Sequence, residues 1–137
     1  EASVKGRRWL DQAKIDFDTA LYNHKGGHHN LACFLSQQVA EKALKAFLYA
    51  NGEEIVIGHS VVKLLEMAER YDPSLAELRE EVSPLDSYYI PTRYPDGLPG
   101  SIPAKVYNGR MAQIAIEMAQ KVLDYVNRWF ENLNDKR

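Results

Sequence analysis

From His29 to Tyr49 the sequence HNLACFLSQQVAEKALKAFLY places apolar residues around most of a helical wheel. Leu35, Val39, Leu44, Phe47, Leu48, Cys33 and four alanines fill a wide arc. Gln38, Glu41, Lys42 and Lys45 are confined to a narrow strip, read as solvated. A surface helix needs one apolar stripe, whereas a helix apolar on most sides is surrounded by others. The stretch is therefore read as the central helix of a bundle. Ala32, Ala40, Ala43 and Ala46 would let its neighbours approach closely. Gln37 and Gln38 beside the apolar arc need hydrogen-bond partners if buried, from a neighbouring helix or at a site.

The same periodicity predicts a first helix from about Ser3 to His24, with Trp9, Ala13, Phe17, Ala20 and Leu21 on one face. Lys25-Gly26-Gly27 stops it, and Asn51-Gly52 stops the central helix, because glycine accepts the left-handed cap conformation. Ile55-Val56-Ile57 lies between turn signals and has no second strand nearby, so it is read as a loop packed on the bundle. Ser60 is an N-cap for a third helix with Val61, Leu64, Leu65 and Ala68 inward. Asp72-Pro73 and Ser83-Pro84 read as two further helix starts, for a helix through Val82 and a turn or two through about Tyr89. Asp86 is placed to serve the first turn of the latter.

Ile90 to Pro103 holds four prolines and two glycines and cannot be a regular helix. Long loops in compact domains are commonly functional or disordered, and the Gly97–Ser101 end is expected to be mobile. Its Ile90, Tyr94, Leu98 and Ile102 suggest packing on the bundle. From Ala104 to about Asn132 a last helix is predicted, with Tyr107, Met111, Ile114, Met118, Val122, Tyr125 and Trp129 spaced as a seam. Ile116, Ala119, Leu123, Val126 and Phe130 widen it to a second face, which suggests a second subunit. Asp135-Lys136-Arg137 reads as a polar tail. The expected fold is all-α, an antiparallel up-and-down bundle of four to five helices in one domain over residues 1–137.

Composition narrows the function classes. Seventeen basic and nineteen acidic residues are interspersed, so no global field steers the chain to nucleic acid, although a local basic patch is compatible with this balance. One cysteine, Cys33, excludes a disulfide framework and a multi-cysteine metal site, and its apolar setting suggests a reduced, buried thiol. No apolar run reaches the roughly 18 residues that span a membrane, and the first residues have no apolar core of a signal peptide. A cytoplasmic protein without membrane contact, metal or cofactor is expected. His24, His28 and His29 crowd the Gly-Gly turn, but without a carboxylate or cysteine beside them they read as a solvated loop or helix start.

Arg93 is the strongest candidate for chemistry, because a guanidinium offers a planar fork of donors to phosphate from a proline-constrained loop. Alternatively it fastens that loop by pairing with Asp96 or Glu80. Tyr88, Tyr89 and Tyr94 can stack on a base or simply pack. Asp96 is a ligand candidate or a turn residue, and His59 a ligand candidate or a loop fastener. Lys42 and Lys45 could add to a phosphate patch from the exposed strip.

Gln37-Gln38-Val39-Ala40-Glu41-Lys42-Ala43-Leu44-Lys45, preceded by a tryptophan-bearing helix with Ala13 and Asp16 and followed by His59 and Thr92-Arg93-Tyr94-Pro95-Asp96, resembles the HEPN family (higher eukaryotes and prokaryotes nucleotide-binding), in its small stand-alone prokaryotic branch. The resemblance runs from about Arg8 to Phe130. It implies a helical bundle, a homodimer and a minimal nucleotidyltransferase partner, sometimes as a toxin–antitoxin couple. Many family members are ribonucleases marked by an arginine with a histidine four to six residues later. From Arg93 that window, Gly97 to Pro99, has no histidine. Imidazole is the group suited to moving the 2′-hydroxyl proton near neutral pH. The expected function is thus a nucleotide- or RNA-binding module. The alternatives are a metal-independent endoribonuclease with a non-standard site of Arg93, Tyr94 and His59, and a structural dimerising subunit.

Overall fold

The computed structural model describes residues 1–135, and these form α1 (Ala2–Lys25), α2 (His29–Ala50), α3 (Val61–Ala68), α4 (Leu75–Val82), a 3-10 helix (Ser83–Tyr88), a 3-10 turn (Pro95–Gly97), α5 (Pro103–Val106) and α6 (Gly109–Asp135). The all-α expectation holds. Asp135 closes α6, and the rest of the expected polar tail, Lys136 and Arg137, lies outside the described residues.

Contacts fix the direction of each helix. Along α1 and α2, Lys5 meets Glu54, Trp9 meets Tyr49, Asp16 meets Lys42 and His24 meets His29, so the two run antiparallel. Gly109 at the start of α6 lies by His24 and His29, and Phe130 near its end lies by Gly6, so α6 is antiparallel to α1. Asp72 bonds Tyr125 and Glu81 bonds Lys121, so α4 descends against α6. Thus α1, α2, α4 and α6 alternate in direction. Helix α3 is an added element, reached by an extended segment.

Both long-helix stops work as the glycines require. At the end of α1, His28 N–H donates to Asn23 O (2.8 Å) and Gly27 N–H to His24 O (3.1 Å), with Gly27 at φ 82°. At the end of α2, Glu53 N–H donates to Leu48 O and Gly52 N–H to Tyr49 O, with Gly52 at φ 103°. Each is the paired closure that satisfies the last carbonyls. Helix α2 is the most enclosed element, with Ala32, Cys33, Val39, Ala40, Ala43, Leu44, Ala46 and Leu48 fully buried.

Several local expectations change. The start after Asp72 is displaced: α4 begins at Leu75, and Asp72 Oδ1 instead accepts from Ser74 N–H (3.1 Å) and its hydroxyl (2.7 Å). Asp86 does not serve its own helix. It accepts from Val61 N–H (2.6 Å), Val62 N–H (3.2 Å) and the Ser60 hydroxyl (2.7 Å), completing the cap of α3 from across the chain. Ser60 itself accepts from Lys63 N–H (3.1 Å), as expected. The last helix is broken. Tyr107 is extended, and Asn108 Oδ1 accepts from Met111 N–H (3.0 Å), starting α6 afresh. Asn is a better cap than a helix interior residue, which explains the break.

In the Ile55–Ile57 loop only Val56 packs inward; Ile55 and Ile57 are exposed, because Tyr49 brackets Val56 through its hydroxyl. The second apolar face of α6 is covered within the chain: Ile116, Ala119, Leu123, Val126 and Phe130 are all buried, and of this helix's large apolar residues only Ile114 is exposed. The α6 pattern therefore supplies no reason for a second subunit. Neither is the α2 polar strip wholly solvated, since Glu41 and Lys45 are buried.

Candidate functional site

The site grows from one stripe of α2. Phe34, Gln38, Glu41, Lys45 and Tyr49 are spaced to share a face of the helix. On one side of this stripe stands α1 with Trp9, and on the other stand His59 and Tyr89. Glu41 is the hub. Its carboxylate is 3.2 Å from Lys45 Nζ and 3.2 Å from His59 Nδ1. It also accepts from Gln38 Nε2 (3.3 Å) and Gln37 Nε2 (3.4 Å). Gln37 donates more strongly to the His59 carbonyl (2.7 Å), so the fully buried amide holds the loop that carries His59.

The His59 ring is largely exposed and stacks on Tyr89 with centroids 4.5 Å apart at 16°. Tyr89 also receives Arg93, whose guanidinium carbon is 4.6 Å from its ring centre, 4.2 Å from that of Phe34 and 5.3 Å from that of Tyr94. Arg93 Nε donates to Tyr89 O (2.8 Å). Its terminal nitrogens have no hydrogen-bond partner, and it pairs with no carboxylate, among the described residues. The alternative of Arg93 pairing with Asp96 or Glu80 is therefore not what fastens the loop. Thr92 does that. It is fully buried, its hydroxyl donates to Tyr88 O, and its carbonyl accepts from Asn30 Nδ2 (3.0 Å) on α2.

The structure thus brings together His59, Tyr89, Arg93 and Tyr94. It does not bring Asp96 to Arg93; Asp96 is exposed in its own 3-10 turn. Tyr88 points to the core, with its ring 6.0 Å from Tyr107, and burial raises the pKa of both phenols. Nearby Cys33 is buried, which pushes its thiol up to about 12 and makes it a packing residue rather than a nucleophile. Glu41 and Phe34 were not recognised from sequence as site residues. The usable signal was their spacing with Gln38 on the face that carries the polar strip.

His24 and His29 approach at 3.3 Å through their Nδ1 atoms. Among the described residues no group of three or more metal-ligating side chains converges. No helix among them is long and apolar enough to cross a membrane.

A protein of Methanocaldococcus jannaschii named "Putative toxin MJ1304" is 25% identical over 126 residues, covering 86% of this chain and 83% of that one. Human sacsin is 30% identical over 118 residues, covering 83% of this chain but 3% of sacsin. The crystal structure of TT1696 from Thermus thermophilus superposes with a TM-score of 0.80 at 38% identity, over 90% of this chain and 97% of that one. The structure of ST0689, described as an archaeal HEPN homologue, superposes at 0.76 with 38% identity, over 91% of this chain and 97% of that one. The HEPN domain family model matches residues 7–129, a span holding Trp9, all of α2, His59 and Arg93, and the chain belongs to the HEPN family.

Proposed function

We propose that this chain is a single-domain nucleotide- or RNA-binding module that acts in the cytoplasm beside a minimal nucleotidyltransferase, in a toxin–antitoxin-like pair. The observation that carries the binding reading is Arg93. Its guanidinium is laid on Phe34, Tyr89 and Tyr94, with its terminal nitrogens unbonded and no carboxylate paired to it. An arginine held by ring faces keeps its charge and its planar fork for an anion. Tyr94 is exposed beside it and offers a face to a base. The toxin context is supported by the name of the archaeal relative. In Arg93→Ala, nucleotide affinity should fall by roughly 1.5–3 kcal/mol, the scale of hydrogen bonds to a charged group. Titration calorimetry with nucleotides checks this, and unchanged affinity would place binding elsewhere.

A second reading, metal-independent RNA cleavage, is favoured by one feature. His59 Nδ1 is held by the buried Glu41 carboxylate while the ring itself is exposed two contacts from Arg93. A histidine oriented through one nitrogen by a carboxylate has the other available for proton transfer. Cleavage of mixed single-stranded RNAs that survives chelator and disappears in both His59→Ala and Arg93→Ala would establish it. Absence of cleavage leaves the binding reading.

A homodimer with the Arg93 loop beside the contact belongs to the same proposal. The support is family membership, since α6 does not supply it. Light scattering giving a monomer at high concentration would remove the dimer and any shared groove.

A further inference from the structure

Ile55-Val56-Ile57 is a β-branched triplet in a chain with no strand among the described residues. Its backbone is nonetheless that of a strand. The Tyr49 hydroxyl donates to Val56 O (3.4 Å) and accepts from Val56 N–H (3.2 Å). One atom reaches both groups because they point the same way, as the N–H and C=O of one residue do in extended backbone. Two residues earlier, the Glu54 carbonyl accepts from Lys5 Nζ of α1 (3.2 Å). Glu54 and Val56 thus turn main-chain groups to the bundle. Successive residues of a strand alternate between its two edges, so the groups of Ile55 and Ile57 face the other edge. Among the described residues, the N–H and C=O of Ile55 and Ile57 have no hydrogen-bond partner. Their side chains are 78% and 81% exposed, against 5% for Val56.

Unpaired N–H and C=O groups along an extended segment are a template for a strand of another chain. No proline or charge lies within residues 55–57 to blunt this edge. The edge is short, because the chain bends at Glu54 and Gly58 sits at φ 100°, outside the strand region. It holds two donors and two acceptors, those of Ile55 and Ile57. An antiparallel partner uses residues at this spacing, each exchanging both bonds with one residue opposite. Beside the edge, Glu54 is exposed and its carboxylate has no partner among the described residues, since Lys5 bonds its backbone instead. Pairing with a second copy, centred on Val56, would set Gly58 opposite Glu54 and leave that charge alone. A different strand with a basic residue at that place complements it.

We propose that residues 55–57 are a docking edge for an extended segment of a partner protein, which pairs antiparallel by β-strand addition. The segment carries β-branched residues opposite Ile57 and Ile55 and a lysine or arginine opposite Glu54. Main-chain hydrogen bonds to Ile55 and Ile57 hold it, the exposed isoleucine side chains pack across the pair, and the ion pair fixes the register. The edge ends two residues before His59, so the partner is held beside the His59–Tyr89 stack. This surface does not depend on what Arg93 binds.

The test is fluorescence anisotropy of the whole chain with a labelled peptide, Thr-Val-Thr-Val-Lys-Thr, whose valines face Ile57 and Ile55 and whose lysine faces Glu54 in the antiparallel register. Protein is taken to about 1 mM, the weak end of the affinity scale. The peptide should bind. Methylating the backbone nitrogens of both valines should weaken it about tenfold or more, the scale of two lost hydrogen bonds. Methylating the nitrogen of the threonine between them, which points away from the edge, should change little. Ile57→Pro removes a donor that no group of the chain uses, so it should keep the wild-type circular dichroism and lose the peptide. Glu54→Lys should weaken the lysine peptide several-fold and bind more tightly a peptide with glutamate in that place. Amide exchange at Ile55 and Ile57 should slow on binding. No binding at the highest concentration, or equal binding of the valine-methylated peptide, would overturn the docking edge, and these arms decide the matter without altering the chain. A wild-type dimer in sedimentation that becomes monomeric in Ile57→Pro would assign the edge to a second copy and overturn the partner reading.

Discussion

Replacing Glu41 by alanine tests the physical basis of the site. The Glu41 and Lys45 side chains are 5% and 8% exposed, and their charges are 3.2 Å apart. At the surface such a pair would contribute about 0–1 kcal/mol. Buried, its value differs sharply according to how it is broken. Glu41→Ala leaves the Lys45 ammonium buried without its carboxylate, and a stranded buried charge costs about 3–5 kcal/mol. The same change frees His59 Nδ1 and removes an acceptor from Gln37 and Gln38. Gln37 keeps its bond to the His59 carbonyl, so the amides add little to the loss.

Against the roughly 5–15 kcal/mol of a typical domain, Glu41→Ala should remain folded with a much lower urea midpoint. Glu41→Leu combined with Lys45→Met removes both charges while keeping volume. It should lie within a few kcal/mol of wild type, on either side. Urea unfolding followed by circular dichroism, with the slope as a control on compactness, reads both. A loss below about 1 kcal/mol in Glu41→Ala with an unchanged slope would mean that water reaches the pair. A double variant as unstable as the single would mean that packing, not the charge, is what matters at this position.

Gly6→Ala should lower stability despite a helix-propensity gain of about 1 kcal/mol. Its Cβ would sit 2.7 Å from the Ala46 backbone oxygen and 3.0 Å from Phe130, and overpacking of that kind costs about 1–3 kcal/mol; a raised urea midpoint would refute the close crossing. Asp86→Ala should cost about 1–2 kcal/mol, the upper range for a cap, because it removes three acceptor contacts from the start of α3, and amide exchange at Val61 and Val62 should rise with it. Hydrogen bonds from the Tyr125 hydroxyl and from Ser74 hold the Asp72 carboxyl below its ordinary value of 3.8. A lowered folded value gives stability that is complete above the ordinary value and is lost as pH falls through the lowered one. Asp72→Asn should flatten the stability profile below about pH 4, and an unchanged acid limb would exclude this linkage.

The helices were legible because their signals are local. The Gly-Gly and Asn-Gly stops work through glycines at positive φ, and Ser60 caps three residues ahead. Asp86 was misassigned because its partners, Val61 and Val62, lie 25 and 24 residues away. A capping carboxylate can serve any helix start that folding brings to it, and local spacing favours the nearest. The break at Asn108 did carry a local signal, an Asn-Gly pair ahead of a strong apolar seam. The run from Ala104 to Val106 obscured it. The second face of α6 reads as spare in the sequence because its partners on α1, α2 and α4 are distant along the chain.

The site was half legible for a related reason. Arg93 and Tyr94 announce themselves in a proline-rich loop, where few structural roles compete. Glu41 and Lys45 do not, since an i,i+4 acid–base pair on a helix is ordinarily solvated. Their burial comes from what flanks α2: Trp9 of α1 on one side, His59 on the other. Neither flank can be placed by periodicity within α2. One clue was available in the strip itself. It begins with Gln38, with Gln37 beside it, and an amide set against an apolar arc needs partners that a solvated helix does not require. Gln37 finds them in the His59 carbonyl and Glu41, which fixes the loop and the carboxylate together. The polar strip is narrow because it forms the floor of a valley, not because it is the outer edge of the bundle. A narrow floor built of fixed charges can position an exposed histidine and a ring-held arginine while the rest of α2 remains core.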